Sequence, residues 1–265
     1  MLSNMAEKTT SIRIKNRLAN FLHILFNIVV AVGAWGLVWM FPDTPWPAIA
    51  LVALSKYRVF MVKPRYWIPN ILSGLVDFVF GIGVVLLIWV MHGWGFSVGA
   101  LIAQIVLVII YALWLLWLKP NNKEWAVMAQ AGISQFIGLA ALFTVANYLW
   151  LPIVILFAFF IGFACSRHML MIHKEPQHDL LAMAWGLAVS ELAFLGYHWS
   201  VIYGFGIVQI PEVAVIITII SIIIEKFYRS ARRNDGAIKQ EDVLLPTLFG
   251  AILITVILIF FSGLL

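Results

Sequence analysis

The sequence predicts an all-α fold: a polytopic integral membrane bundle of about nine transmembrane helices, N-terminus cytoplasmic and C-terminus outside. Three observations predict it. Of 265 residues, 63% are hydrophobic and only 11% charged, against about half and about a quarter in soluble domains. A soluble core cannot absorb that much apolar surface. Long apolar runs recur at the length needed to cross the roughly 30 Å hydrocarbon layer. The basic residues, finally, fall in alternate connections along the chain.

Residues 1–17 form a polar, basic segment, and 18–265 a single transmembrane helical domain. That opening is polar for too long before its apolar run, and lacks a small-residue cleavage site, so the first helix is expected to stay in place and not to act as a cleaved signal. Spans are predicted at 18–41, 68–91, 96–118, 125–148, 151–170, 180–203, 208–225 and 243–265. The segment 46–62, WPAIALVALSKYRVFMV, is ambiguous because Lys56 and Arg58 interrupt it. It crosses as a short ninth helix or re-enters, leaving eight.

Charge asymmetry decides for crossing, because cytoplasmic loops retain Lys and Arg. With nine spans, all 17 basic residues fall on one side: four before the first span, four around Lys56–Arg65, then Lys119 and Lys123, Arg167 and Lys174, and five from Lys226 to Lys239. If 46–62 did not cross, the N-terminal cluster would oppose all later charges. Trp39, Trp46, Trp89, Trp94, Trp150 and Trp199 fall near the predicted outer surface, and Trp67, Trp117, Trp125 and Tyr228 near the inner one, as interfacial anchors do.

Two carboxyls lie at membrane depth. Glu191 is about 16 Å into its span and Asp77 about 12 Å, at 1.5 Å per residue. A charge at a helix centre costs roughly 2.5–3.5 kcal/mol on the insertion scale, so neither residue is there by default. Gly74, Asp77 and Gly81 on one helix, and Gly186, Ser190 and Glu191 on another, are spaced as at helix contacts, so both acids are expected to face other helices. His198, seven residues after Glu191, shares its face about 10 Å away, which makes the two stations on one polar path and not a bonded pair. Asn27, Gln104, Ser134 and Ser190 supply polar support from neighbouring spans. Asp77, Glu191 and His198 are the candidate ion or proton pathway.

Other motifs point elsewhere. His168, His173 and His178 sit five apart, with Pro176 between the last two, a spacing that suits solvated helix ends better than metal ligation. They are weak candidates, and no metal is expected. No cofactor is implied by any motif. Lys56, Arg58, Lys63 and Arg65 alternate with aromatics at the inner surface, where anionic lipid headgroups are the expected partner. A nucleic-acid role for these charges is not expected, since both flanks are tied to the membrane. HExxH and GxSxG are absent from the sequence, so an enzyme is disfavoured. The lone Cys165 excludes intrachain disulfides and cysteine clusters.

Three readings follow in order. The first is a small proton- or ion-coupled transporter. The second is a non-catalytic subunit or scaffold that binds lipids or a membrane-protein partner, a second copy of itself included. The third is a membrane enzyme acting on a lipid or isoprenoid. Short loops and the lack of an organellar signal place the chain in a bacterial plasma membrane.

Overall fold

Helices account for almost all of the chain in the computed structural model. It describes residues 2–57, 61–93, 97–199, 202–205 and 208–261, with side chains described for 21–57, 61–93, 97–199 and 210–259. Arg58 and Trp94 therefore lie outside the described residues. The helices are α1 (Leu2–Met40), α2 (Trp46–Leu54), α3 (Trp67–Gly93), α4 (Val98–Leu113), α5 (Glu124–Thr144), α6 (Leu151–Ile172), α7 (His178–Trp199), α8 (Glu212–Arg233) and α9 (Gln240–Phe261). Between α7 and α8, β1 (Ile202–Phe205) and β2 (Val208–Pro211) form an antiparallel hairpin.

Among the described residues, seven helices are long and apolar enough to cross a membrane; α2 and α8 are the exceptions. The predicted span 208–225 is corrected accordingly. Its first four residues form β2, Pro211 stands at the cap of α8, and the helix runs on to Arg233. Pro lacks a backbone N–H and suits a helix start. Only Val213–Ile224 of α8 is a charge-free run, about 18 Å long at helical rise.

Two packed cores meet along α3 and α5. One gathers Val38 of α1, Val52 of α2, Phe80 and Val84 of α3, and Tyr111 of α4. The other gathers Leu139, Val154, Val189 and Ile217 from α5 to α8. Small residues permit the close approaches that membrane helices use instead of a hydrophobic driving force. A Cβ on Gly162 of α6 would stand 2.8 Å from Val189 of α7, and one on Gly83 of α3 would stand 2.9 Å from Ile137 of α5.

The connections that carry the basic residues converge on one face. Arg229 of α8 pairs with Glu124 at the start of α5 (3.7 Å), and Arg232 pairs with Glu175 in the α6–α7 turn (3.1 Å). Ser230 donates to Asp242 of α9 (2.8 Å). Arg167 near the end of α6 bonds Asp179 of α7 (2.6 Å) and donates to the Leu72 carbonyl of α3 (3.4 Å). The start of α3 therefore belongs to this basic face.

The opposite end of α3 meets the end of α1. Trp89 donates its indole N–H to the Pro42 carbonyl (2.8 Å), and the rings of His92 and Trp39 stand 4.8 Å apart. Helices α1 and α3 thus run parallel, so the chain passes back over the depth of the bundle between them. Between Leu72 and Trp89 that depth is about 26 Å. Nine residues of α2 supply about 14 Å of it. Ser55 ends the helix by donating its hydroxyl to the Val52 carbonyl (2.6 Å), and a 3-10 turn at Pro64–Tyr66 leads into α3. Of the expected short helix over 46–62, only Trp46–Leu54 is formed as α2, and residues 58–60 lie outside the described residues.

Candidate functional site

The break after α2 delivers Lys56 into the protein interior. Its Nζ lies 3.1 Å from Oδ2 of Asp77, and the lysine side chain is 9% exposed. Asp77 is one helical turn before Gly81 on α3, where α2 and Tyr111 of α4 both approach: a Cβ there would stand 2.8 Å from Val52 Cγ1 and 3.0 Å from Tyr111 Oη. The absence of a side chain at Gly81 is what lets α2 and Tyr111 pack above the carboxyl.

The third element is the end of α4, which changes its winding. Residues Trp114–Leu118 form a π turn, with Lys119 N–H bonded to the Trp114 carbonyl at 2.8 Å. In an α-helix, residues five apart point about 140° from one another. The i→i+5 closure of a π turn stacks them instead. Trp114 and Lys119 can therefore reach the same carboxylate. The indole N–H donates to Asp77 Oδ1 at 3.1 Å, and Lys119 Nζ stands 2.6 Å from Oδ2. Phe80, one turn from Asp77, stacks on Trp114 with ring centroids 3.9 Å apart and fixes the indole plane.

Asp77 lies about 8 Å along α3 from Leu72 and about 18 Å from Trp89, in the half of the bundle nearer the basic face. One carboxylate thus holds two ammonium groups. Lys56 is the buried partner; Lys119, 38% exposed, opens towards the basic face. His168 of α6 and Tyr111 are within electrostatic reach of Asp77. His168 Nε2 is 2.8 Å from Gln130 Oε1, and Gln130 in turn donates to the Leu118 carbonyl (2.6 Å) below Trp114. A polar chain of α3, α4, α5 and α6 groups surrounds the carboxyl.

The other expected pathway residues lie apart from this site. Glu191 was expected to face neighbouring helices, yet it is exposed on α7, as is His198. The two do share a face, but that face points outward, and His198 packs on Phe194 and Tyr197 rings of its own helix (5.1 and 5.6 Å). Ser190 is buried and donates to its own helix at the Leu187 carbonyl (2.7 Å). Asn27 bonds His23 one turn away on α1 (3.2 Å). Gln104 accepts the indole N–H groups of Trp35 and Trp39 (3.0 and 2.9 Å), joining α4 to α1. Ser134 donates to the Val76 carbonyl (3.3 Å), joining α5 to α3. None of these four touches Asp77.

The three histidines part company. His168 serves Gln130, His173 packs beside the Tyr228 ring at 5.7 Å, and His178 takes the Glu175 carbonyl at 2.9 Å. Among the described residues no three His, Cys, Asp or Glu side chains converge as metal ligands. Burial holds the His173 imidazole below its ordinary pKa, against the pull of Glu124. Of the basic quartet, Lys56 turns inward to Asp77, whereas Lys63 and Arg65 are exposed and the Arg65 guanidinium lies 4.6 Å from the Tyr66 ring centroid. Lys119, Trp114 and Tyr111 carried no signal as site residues, because each reads locally as an inner-loop lysine or a packing aromatic. No family profile, curated protein or solved structure matches the chain, so the geometry around Asp77 alone carries the functional reading.

Proposed function

We propose that this chain is an integral membrane transporter coupled to protons through Asp77. The observation that supports it is the broken segment after α2, which brings Lys56 to a carboxylate already held by Lys119 and Trp114. Irregular backbone at membrane depth is tolerated where it is buried in protein or lines a cavity, and broken helices carry the binding sites of many transporters. Ionisable groups at such depth commonly mark ion or proton routes. On protonation, Asp77 loses its charge, and the two ammonium groups lose what holds them to α3. Segments 55–57 and 114–119, both wound irregularly, are the parts that would move.

In this reading the basic face is cytoplasmic, and if residues 41–66 and the short apolar run of α8 cross beside the seven longer helices, nine crossings put the C-terminus outside. Lys63 and Arg65 face anionic headgroups of the inner leaflet. A second reading draws on Glu191 alone: a carboxyl exposed midway along α7 suits a membrane subunit that meets a polar partner helix.

Proteoliposomes containing a pH-sensitive dye, with potassium and valinomycin clamping the potential and phosphate on both sides, test the first reading. The native chain should acidify the lumen under an inward pH gradient, and Asp77→Asn should not. Equal rates in the two, or no rate above protein-free vesicles in the native chain, would sink the proposal.

A further inference from the structure

From the charge balance at Asp77 we infer that Lys56 and Lys119 form an oxyanion-binding site, which takes a phosphate-type or carboxylate-type anion when Asp77 is protonated. This rests on the transport reading above and names its cargo or regulatory ligand. Both ammonium groups point at one oxygen, Asp77 Oδ2, at 3.1 and 2.6 Å, and the indole N–H of Trp114 holds the other oxygen at 3.1 Å. The carboxylate thus occupies a site built of three donors. Among the described residues neither lysine has a second carboxylate partner. With both lysines protonated, the cluster carries two positive charges against one negative.

An excess cation in a low-dielectric interior calls for an anion. A further donor stands by. Tyr111 is 1% exposed, its hydroxyl has no hydrogen-bond partner, and it lies beside Gly81, one turn along α3 from Asp77. Lys119, partly exposed at the basic face, gives the approach. The oxyanion would come from that side, either dissolved or carried on an inner-leaflet lipid.

Proton and anion are then linked. The ionised Asp77 and the incoming oxyanion compete for the same two ammonium groups, so the oxyanion binds when Asp77 is neutral. By reciprocity, a proton on Asp77 tightens anion binding and the anion eases proton uptake by the same factor. The titratable groups facing Asp77 are Lys56 after α2, Tyr111 and Lys119 from α4 and its π turn, and His168 from α6. Of these, His168 is the other side chain that can gain or lose a proton without a strong acid or base, so His168→Gln is the control for the pH effect.

The test is calorimetric titration of inorganic phosphate into the full chain held in phosphatidylcholine nanodiscs. The native chain should bind phosphate, and more tightly as the pH is lowered. Asp77→Asn should bind about tenfold more tightly than native at neutral pH, and with little pH dependence; Lys56→Gln and Lys119→Gln should each lose about tenfold. His168→Gln should keep the pH effect. Lys119→Arg, at a partly exposed position, retains the charge and should retain binding if the protein is folded. Adding phosphatidic acid to the nanodiscs separates the sources: competition assigns the site to a lipid headgroup, and no competition assigns it to a dissolved anion. Absence of phosphate binding in the native chain, or binding unchanged by both Gln variants, overturns the inference. Phosphate binding without proton flux would sink only the transport reading, and Asp77-dependent flux without binding would sink only this one.

Discussion

The indole N–H of Trp89 donates to the carbonyl of Pro42 at 2.8 Å, which joins the far end of α3 to the far end of α1. Since both helices end at the same face, the short α2 and the residues after it must bring the chain back. The two-residue contact thereby sets the end of the bundle from which each later helix starts.

Topology is open to direct measurement. On a Cys165→Ser background, Asp43→Cys and Gly93→Cys should label with an impermeant maleimide from one side of the membrane, and Lys123→Cys from the other. Labelling of Asp43→Cys and Gly93→Cys from opposite sides would mean that residues 41–66 do not cross.

Gly81 is where α2, α3 and α4 come together. A methyl group there would meet Val52 Cγ1 at 2.8 Å, closer than real contacts allow, and Tyr111 Oη at 3.0 Å, which is tight. Gly81→Ala is expected to cost about 1–3 kcal/mol, as overpacking does, and to lower the thermal midpoint in detergent. Gly132→Ala is the control, since nothing lies within 4 Å of its added carbon; it should be neutral or gain about 0.5–1 kcal/mol of helix propensity. A Gly81→Ala midpoint equal to native would show that α2 does not dock there.

Glu191 is exposed on α7 and shares no contact with the Asp77 cluster. Glu191→Gln should therefore leave Asp77-dependent proton flux unchanged in the proteoliposome assay. A loss comparable to that of Asp77→Asn would return Glu191 to the pathway. Changed oligomeric state in the same variant, by light scattering, would favour the subunit reading.

Some of this placement was readable from spacing. Asp77 and Gly81 are four apart and share a helix face, which is the face that α2 and Tyr111 cover. Gly186 and Ser190 are also four apart, and both are buried; Glu191, five residues after Gly186, is turned about 140° from it and is exposed. Reading Gly186, Ser190 and Glu191 as one patch ignored that rotation. Other features left no local trace. The π turn at Trp114–Leu118 sits in the apolar run WLLWL, whose residues would equally continue an α-helix, and Lys119 looks like any loop lysine.

By itself the sequence determined that the chain is a bundle of membrane-length helices and which connections carry the basic residues. Both are sums of local properties, the hydropathy and charge of consecutive residues. Which carboxyl is gathered into a site and which is left outside was decided only by the tertiary structure. Lys56, Asp77, Trp114 and Lys119 meet because α2 stops halfway, Gly81 admits its neighbours, and a π turn realigns the end of α4. Those are relations between helices, and the pattern within one helix does not contain its neighbour.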